Sequence, residues 1–92
     1  MLSVIAPVYN EAENVENLLN DIHRKIKIPM EILFVYDMDS DTTIPVISRI
    51  SGNYPSEIRI VKNKYGGGVL NAIKSGFEES KNKALLVIMA DL

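Results

Sequence analysis

The 92-residue sequence contains no cysteine and no tryptophan. Without cysteine, a disulfide scaffold and cysteine-ligated metal sites are excluded. Its apolar runs are far shorter than the ~20 residues of a membrane-spanning helix, so no such helix is predicted. The formal net charge is −2 and the basic residues do not cluster, which argues against a nucleic-acid-binding surface.

The length predicts one domain at most, with a modest core. Hydrophobic residues make up 47% of the chain and charged residues 24%, which is ordinary for a globular protein. The first apolar stretch lacks a basic leader and stops at Pro7, so we expect a cytoplasmic protein rather than a secreted one. Because the sequence stops directly after the apolar stretch ALLVIMADL, we expect residues 1–92 to be a domain truncated at its carboxyl end.

Four apolar runs rich in β-forming residues alternate with amphipathic segments. The runs predict strands at residues 2–8, 31–36, 58–61 and 84–90. The amphipathic segments predict helices that follow the first three strands, at about residues 11–26, 44–50 and 69–79. Continuous apolar strands alternating with helices are typical of a parallel sheet covered on both faces. The predicted fold class is therefore α/β, a three-layer Rossmann-like β-α-β-α-β-α-β sheet with strand order 3-2-1-4.

The third predicted helix follows a GGG sequence at residues 66–68. This is not a Walker loop, since no G-K-[ST] follows, and Asn71 stands where a dinucleotide fingerprint needs its third glycine. Leu70, Ile73 and Phe77 are expected to face the core. Small residues at every fourth position would also let the helix backbone lie close to the sheet: Gly68, Ala72 and Gly76. Close packing is therefore favoured over direct phosphate contact.

Polar residues follow the carboxyl ends of the predicted strands, where ligands bind in open parallel sheets. They are PVYNE at 7–11, DMDSD at 37–41, KYGGG at 64–68 and Asp91. The switch point between the first and fourth strands places PVYNE beside Asp91, with Asp37 on the other side. Asp91 is then either a surface residue or a divalent-metal ligand for a diphosphate.

The three alternating aspartates of DMDSD suggest a metal site at first sight. An EF-hand counted from Asp37 would need glycine at its sixth position and glutamate at its twelfth, but Thr42 and Ser48 stand there. A haloacid-dehalogenase-type phosphatase motif, D-x-D-x-T from Asp39, lies too far beyond its strand and on the wrong strand. The phosphatase remains the less favoured alternative.

Different roles are predicted for the three aspartates. Asp41 or Thr43 is expected to cap the second helix, and Asp39 to be solvated. Asp37 directly follows a strand and points towards the ligand crevice, where a carboxylate can accept hydrogen bonds from nucleobase N–H groups.

The PVYNE segment has its own structural interpretation. Asn10 and Glu13 have the spacing of a capping box, which predicts Asn10 as the cap of the first helix. Glu11 would then lie in the first turn, where it is favourable with the helix dipole. Tyr9 is either exposed or stacked on a ligand ring.

The four segments, in this order, resemble the N-terminal half of the family 2 glycosyltransferases, above all those of the dolichol-phosphate mannosyltransferase type. SVIAPVYNEAENV resembles the family opening, ILFVYDMDSDTT the Asp-Asp-x-Ser-x-Asp-x-Thr element, and VIMADL the strand before the metal-binding D-x-D. The spacing of Gly68, Ala72 and Gly76 resembles the family's G-x-x-x-A-x-x-x-G helix.

The resemblance implies a glycosyltransferase A-type fold, a nucleotide-diphosphate sugar as donor, and Mg²⁺ or Mn²⁺. It also implies site residues. Asp37 would hold the base and Asp91 the metal and diphosphate. The implied nucleotide-binding residues are Pro7, Tyr9, Asn10, Glu11, Val35, Asp37 and Ala90.

The catalytic base and the half that binds a lipid-phosphate or glycan acceptor would lie beyond Leu92. We therefore expect no catalytic residue in the 92-residue chain, which should be inactive alone. The full-length hexosyltransferase could work at the cytoplasmic face of a membrane. An exposed last strand would also allow a homodimer through its edge.

Three positions depart from the family pattern. Tyr36 replaces the first aspartate of the usual pair, Asp39 stands where serine is usual, and Met89 replaces the first aspartate of D-x-D. The last change removes one metal ligand. It also fits a second hypothesis, a non-catalytic nucleotide-binding module.

Overall fold

Four parallel strands form the middle layer of the protein. The structure is a computed structural model that describes residues 1–82 and 84–89. The elements are β1 (Leu2–Pro7), α1 (Val15–Lys25), β2 (Met30–Tyr36), α2 (Thr43–Ile50), β3 (Glu57–Lys62), α3 (Val69–Glu79) and β4 (Ala84–Val87), with a 3-10 turn at Ser51–Asn53. The strand order is β3-β2-β1-β4. The predicted fold class and strand order are confirmed.

The two central strands are buried on both faces, which explains their continuous apolar sequences. One face packs against α1 and α2 through side chains that include Val4 and Phe34. The other lies beneath α3, where Ile5, Leu33 and Val35 form a smaller core. The sheet is thus the middle of three layers. No helix in the described ranges has the length and hydropathy needed to cross a membrane.

The start of α1 differs from the prediction. The helix begins at Val15, and its cap position is Asn14 rather than Asn10. Residues 11–14 form a turn in which the Glu11 carbonyl accepts hydrogen bonds from the amides of Asn14 and Val15, at 3.0 and 2.9 Å. Asn10 has a φ of 49°, a left-handed conformation that asparagine tolerates better than most residues. The predicted capping box is therefore wrong.

The face that α3 presents to the sheet also differs. Its buried residues are small: Ala72, Ser75 and Gly76. Leu70 is 82% exposed and Phe77 is 58% exposed, while Ile73 is partly buried. The prediction that Leu70 and Phe77 face the core is wrong, whereas the predicted close packing through small residues is confirmed.

The reason is the short distance between α3 and the sheet. A Cβ atom added to Gly76 would lie 2.6 Å from Ile5 Cγ2 and 3.2 Å from Val35 Cγ2. Such an approach leaves no room for large side chains on that face of the helix.

β4 ends at Val87, earlier than the predicted residue 90. Ala90 and Asp91, assigned to the nucleotide and the metal, lie outside the described residues.

Candidate functional site

A cleft of about 260 Å³ opens where the carboxyl ends of β1 and β2 meet the beginning of α3. It lies on the rim where parallel sheets bind ligands. Five of the residues implied by the resemblance line it: Pro7, Tyr9, Glu11, Val35 and Asp37. Val8, Gly68, Val69, Ala72 and Met89 complete the lining. The structure thus brings together most of the expected site residues that it describes.

A larger groove of about 820 Å³ lies at the opposite end of the sheet. Met1, Ile26, Pro29 and Glu57 are among the residues that line it. Because this groove is at the amino ends of the strands, the smaller cleft is the better candidate for a ligand site.

The chain after β1 forms one wall of the cleft. The Val8 amide donates to the Val35 carbonyl at 2.9 Å, which carries the pairing with β2 one residue past the strand. Tyr9 is 64% exposed at the rim. Its ring is therefore available to a planar ligand group.

Asn10 is not among the residues that line the cleft. Its Oδ1 accepts a hydrogen bond from the Thr42 amide at 3.0 Å, and its own amide donates to Asp41 Oδ1 at 3.1 Å. The Glu11 amide donates to Thr43 Oγ1 at 2.7 Å. These bonds fasten the loop after β1 to the start of α2, so Asn10 supports the wall rather than forming it.

The cap position of α2 is Thr42, which makes no side-chain capping bond, so the prediction that Asp41 or Thr43 caps this helix is wrong. Asp41 precedes the cap; it is 3% exposed, and its Oδ1 accepts a hydrogen bond from the Thr43 amide at 2.8 Å, at the first turn of α2. Asp39 is exposed and forms an ion pair with Lys62 at 3.2 Å. The phosphatase alternative requires the carboxylates of Asp39 and Asp41 to converge on one ligand. In the structure they do not.

Asp37 is the aspartate that reaches the cleft. It is half-buried at the end of β2, and its Oδ1 accepts a hydrogen bond from Asn63 Nδ2 at 2.9 Å. Its Oδ2 has no hydrogen-bond partner among the described residues. A Cβ atom added to Gly67 would lie 3.5 Å from this oxygen, so the glycine leaves one side of the carboxylate uncovered.

Sequence reasoning missed Asn63, which donates a hydrogen bond to Asp37, and Ser75, which donates one to Asn63. Asn63 is 7% exposed and accepts a hydrogen bond from Ser75 Oγ at 3.0 Å. The available signal was position alone, because Asn63 directly follows β3 on the same rim as Asp37.

The described lining carries two carboxylates, Glu11 and Asp37, and no lysine, arginine or histidine. No group of three potential metal ligands occurs within residues 1–82 and 84–89. Met89 lines the cleft where the resemblance places the first D-x-D position. A diphosphate at this site would therefore need its charge balanced by a cation from solution or by residues outside the described ranges.

Comparisons with known proteins agree with this geometry. The family model described as glycosyl transferase family 2 matches residues 3–92. Dolichol-phosphate mannosyltransferase of Pyrococcus furiosus is 33% identical over 92 residues, which cover 99% of this chain and 26% of that protein. Dolichyl-phosphate beta-glucosyltransferase of Dictyostelium discoideum is 31% identical over 99 residues, covering 98% of this chain and 30% of that protein.

Two solved structures share the fold. The mannosyltransferase PcManGT from Pyrobaculum calidifontis, in complex with GDP-Man and Mn²⁺, has a TM-score of 0.84 at 23% identity, covering 98% of this chain and 27% of that one. Residues 1–349 of S. aureus TarS give a TM-score of 0.79 at 21% identity, with 98% and 27% covered. The predicted glycosyltransferase A-type fold is confirmed. The chain spans between a quarter and a third of the length of these proteins.

Proposed function

We propose, from the premise that the chain belongs to glycosyl transferase family 2, that it is the part of a glycosyltransferase that binds the donor nucleotide-diphosphate sugar. The observation that carries this proposal is the cleft at the carboxyl edge, where Tyr9, Glu11 and Asp37 come together. The whole protein would transfer a sugar to a polyprenyl phosphate or a glycan. The two curated relatives described above bear the names of dolichyl-phosphate sugar transferases.

The cleft residues suggest how a nucleotide would lie. Asp37 would accept a hydrogen bond from an N–H group of the base, since one of its oxygens is uncovered. Tyr9 would stack on the plane of the base or cover the ribose. Pro7 and Val35 form the apolar floor at the strand ends. The diphosphate would then lie towards the start of α3, where helix amides favour negative charge. Ala90 stays in the proposal as a further contact.

We include Mg²⁺ or Mn²⁺ in the proposal because the described lining has carboxylates and no cationic side chain. Asp91 is the proposed ligand, and Met89 leaves the site with one carboxylate fewer than the family pattern. When bound, such an ion would neutralise the diphosphate leaving group.

No catalytic base is assigned to the chain, and we propose that the 92 residues bind the donor without transferring the sugar. A polyprenyl-phosphate acceptor is a membrane lipid, which would place the whole protein at the cytoplasmic face of a membrane. Met89 at the cleft also supports the second candidate, a nucleotide-binding module without catalysis.

We further propose that two copies of the chain pair through β4. Among the described strands, β4 pairs only with β1 and lies at the edge of the sheet. Its outer backbone groups are then open to a strand from a second copy.

The donor-binding proposal is tested by calorimetric titration of the chain with UDP, GDP and GDP-mannose, with and without Mn²⁺. The Asp37→Ala variant should bind the preferred nucleotide about tenfold more weakly, because one good polar contact to a base contributes roughly 1–3 kcal/mol. Asp39→Ala is the matched control. It also removes one carboxylate, but Asp39 lies two residues after Asp37 and its side chain is exposed.

Two outcomes would contradict the proposal. Wild-type chain that binds none of these nucleotides would rule out the donor site. Equal changes in affinity for Asp37→Ala and Asp39→Ala would show that only the general charge of the rim matters.

A further inference from the structure

Asn63 is a buried residue whose backbone amide and both side-chain polar atoms have hydrogen-bond partners. Its backbone amide donates to the Tyr36 carbonyl at 2.7 Å. Its side-chain Oδ1 accepts hydrogen bonds from the Tyr65 amide at 3.1 Å and from Ser75 Oγ at 3.0 Å. Contacts with the end of β2, the loop after β3 and α3 therefore fix both the position and the orientation of this side chain.

The other side of the same amide faces Asp37. Asn63 Nδ2 donates to Asp37 Oδ1 at 2.9 Å and to the Gly66 carbonyl at 3.1 Å. Because Oδ1 of Asp37 is held in this way, Oδ2 is the oxygen left for a ligand. Gly67 adds no side chain beside that oxygen.

We propose that Asn63 is a positioning residue that holds the Asp37 carboxylate in the orientation needed to read an imino N–H group of a nucleobase. This inference rests on the proposed function. An aspartate side chain has two rotatable bonds, and fixing it before the ligand arrives removes an ordering cost from binding. Asn63 also ties Asp37 to the glycine loop at residues 64–68, so the base contact and the phosphate side of the cleft are held together.

The chemistry defines the class of ligand. An ionised carboxylate only accepts hydrogen bonds, so its uncovered oxygen requires a donor on the base. Uracil and guanine each carry an imino N–H. Methylation of that nitrogen removes the donor and adds bulk, and leaves the ribose and diphosphate unchanged. The ratio of affinities for a nucleoside diphosphate and its imino-N-methyl analogue therefore measures how well Asp37 reads the base.

The test compares UDP and GDP with their imino-N-methyl analogues on wild-type chain and on Asn63→Ala and Asn63→Asp variants. Asn63→Asp is nearly isosteric. It keeps an acceptor for the Tyr65 amide and Ser75 and replaces the donor that faces Asp37. Asn82→Ala is the matched control. Asn82 Nδ2 also donates to a carboxylate, that of Glu31 at 3.0 Å, but at the end of the sheet opposite the cleft. Circular dichroism establishes which variants are folded.

Wild-type chain and Asn82→Ala should prefer the unmethylated nucleotide by about tenfold. In a folded Asn63 variant this ratio should fall towards one, while the affinity for the methylated analogue stays the same. A general loss of structure would instead lower the affinities for the nucleotide and for its methylated analogue together.

Retention of the preference in a folded Asn63→Asp variant would overturn the inference and leave the donor site intact. Wild-type chain that binds both nucleotides of a pair equally would also overturn it alone. Wild-type chain that binds no nucleoside diphosphate would overturn the proposed function and this inference with it.

Discussion

Glu31, near the amino end of β2, is 2% exposed and accepts four hydrogen bonds. Its Oε2 accepts from Ser3 Oγ, the Lys81 amide and Asn82 Nδ2, at 2.7, 2.6 and 3.0 Å, and its Oε1 accepts from Arg59 at 3.3 Å. Burial alone would raise the pKa of this carboxyl group. The hydrogen bonds and the charge of Arg59 outweigh burial and hold the pKa below its ordinary value of 4.5.

This residue should make the stability of the protein depend on pH. A carboxyl group whose pKa is lower in the folded state stabilises the fold fully above pH 4.5, and this contribution is lost as the pH falls through the folded-state pKa. Glu31→Gln should therefore lower the free energy of unfolding at pH 7 by about 1–3 kcal/mol. It should also weaken the dependence of stability on pH in the acid range. Urea denaturation at pH 7 and at pH values below 4.5 measures both effects.

Glu57→Gln provides the comparison. Glu57 is an exposed carboxylate paired with Lys81 at 3.0 Å, and such surface pairs contribute only about 0–1 kcal/mol. If the Glu31 and Glu57 variants had the same acid dependence as wild-type protein, the buried hydrogen bonds of Glu31 would not be the source of it.

The sequence predicts where a residue lies when its near neighbours along the chain determine that position. Asp41 bonds to the amide of Thr43 two residues later, at the start of α2, and Asp37 directly follows β2. Asn63 and Glu31 each bond to groups from distant parts of the chain, so no short motif reveals them. Asn10 was assigned to the helix cap because its spacing matched, but a contact with Thr42 decides its conformation.

At the scale of elements, α3 shows a conflict between two sequence patterns. Apolar periodicity placed Leu70 and Phe77 inside, whereas the spacing of Ala72 and Gly76 placed the small residues inside. In the structure the second pattern prevails. At Gly76 the helix backbone lies so close to the side chains of Ile5 and Val35 that large side chains have no room on that face. The hydrophobic pattern of the sequence does not reveal how closely α3 approaches the sheet.

Gly76→Ala should therefore destabilise the protein by about 1–3 kcal/mol, the usual cost of overpacking a core. The added methyl group would lie 2.6 Å from Ile5 Cγ2, so the Ile5 side chain, α3 or β1 must move. Chemical denaturation gives the change in the free energy of unfolding. Gly52→Ala is the control, because no atom lies within 4 Å of its added Cβ, and it should leave stability unchanged or slightly higher. Equal stability of the two variants would contradict the close packing of α3.

For the whole molecule, the fold class follows from the alternation of apolar runs and amphipathic segments, whereas the strand order does not follow from it and is taken from the Rossmann-like arrangement. The two ends of β2 have different tasks. Glu31 near its amino end joins β1, β3 and the segment after α3, while Asp37 beyond its carboxyl end faces the cleft. Changes at one end should therefore affect stability without changing ligand preference, as the Asn82 control tests.

The edge of the sheet gives the last prediction. Leu86 and Val87 on β4 are each 39% exposed, and β4 has no strand partner beyond β1 among the described residues. Pairing of two β4 edges would extend the sheet across two copies and satisfy the open backbone groups. The chain should therefore sediment as a concentration-dependent dimer in analytical ultracentrifugation.

Leu86→Lys should shift this equilibrium towards the monomer, because a charged residue on an edge strand opposes pairing with another chain. Leu70→Lys makes the same change on the outer face of α3, where the side chain is 82% exposed, and should leave the dimer intact. Dissociation by Leu70→Lys alone would show that the copies meet through the apolar side of α3. A monomer at every concentration would rule out both contacts, because neither the edge of β4 nor the outer face of α3 would then bind a second copy.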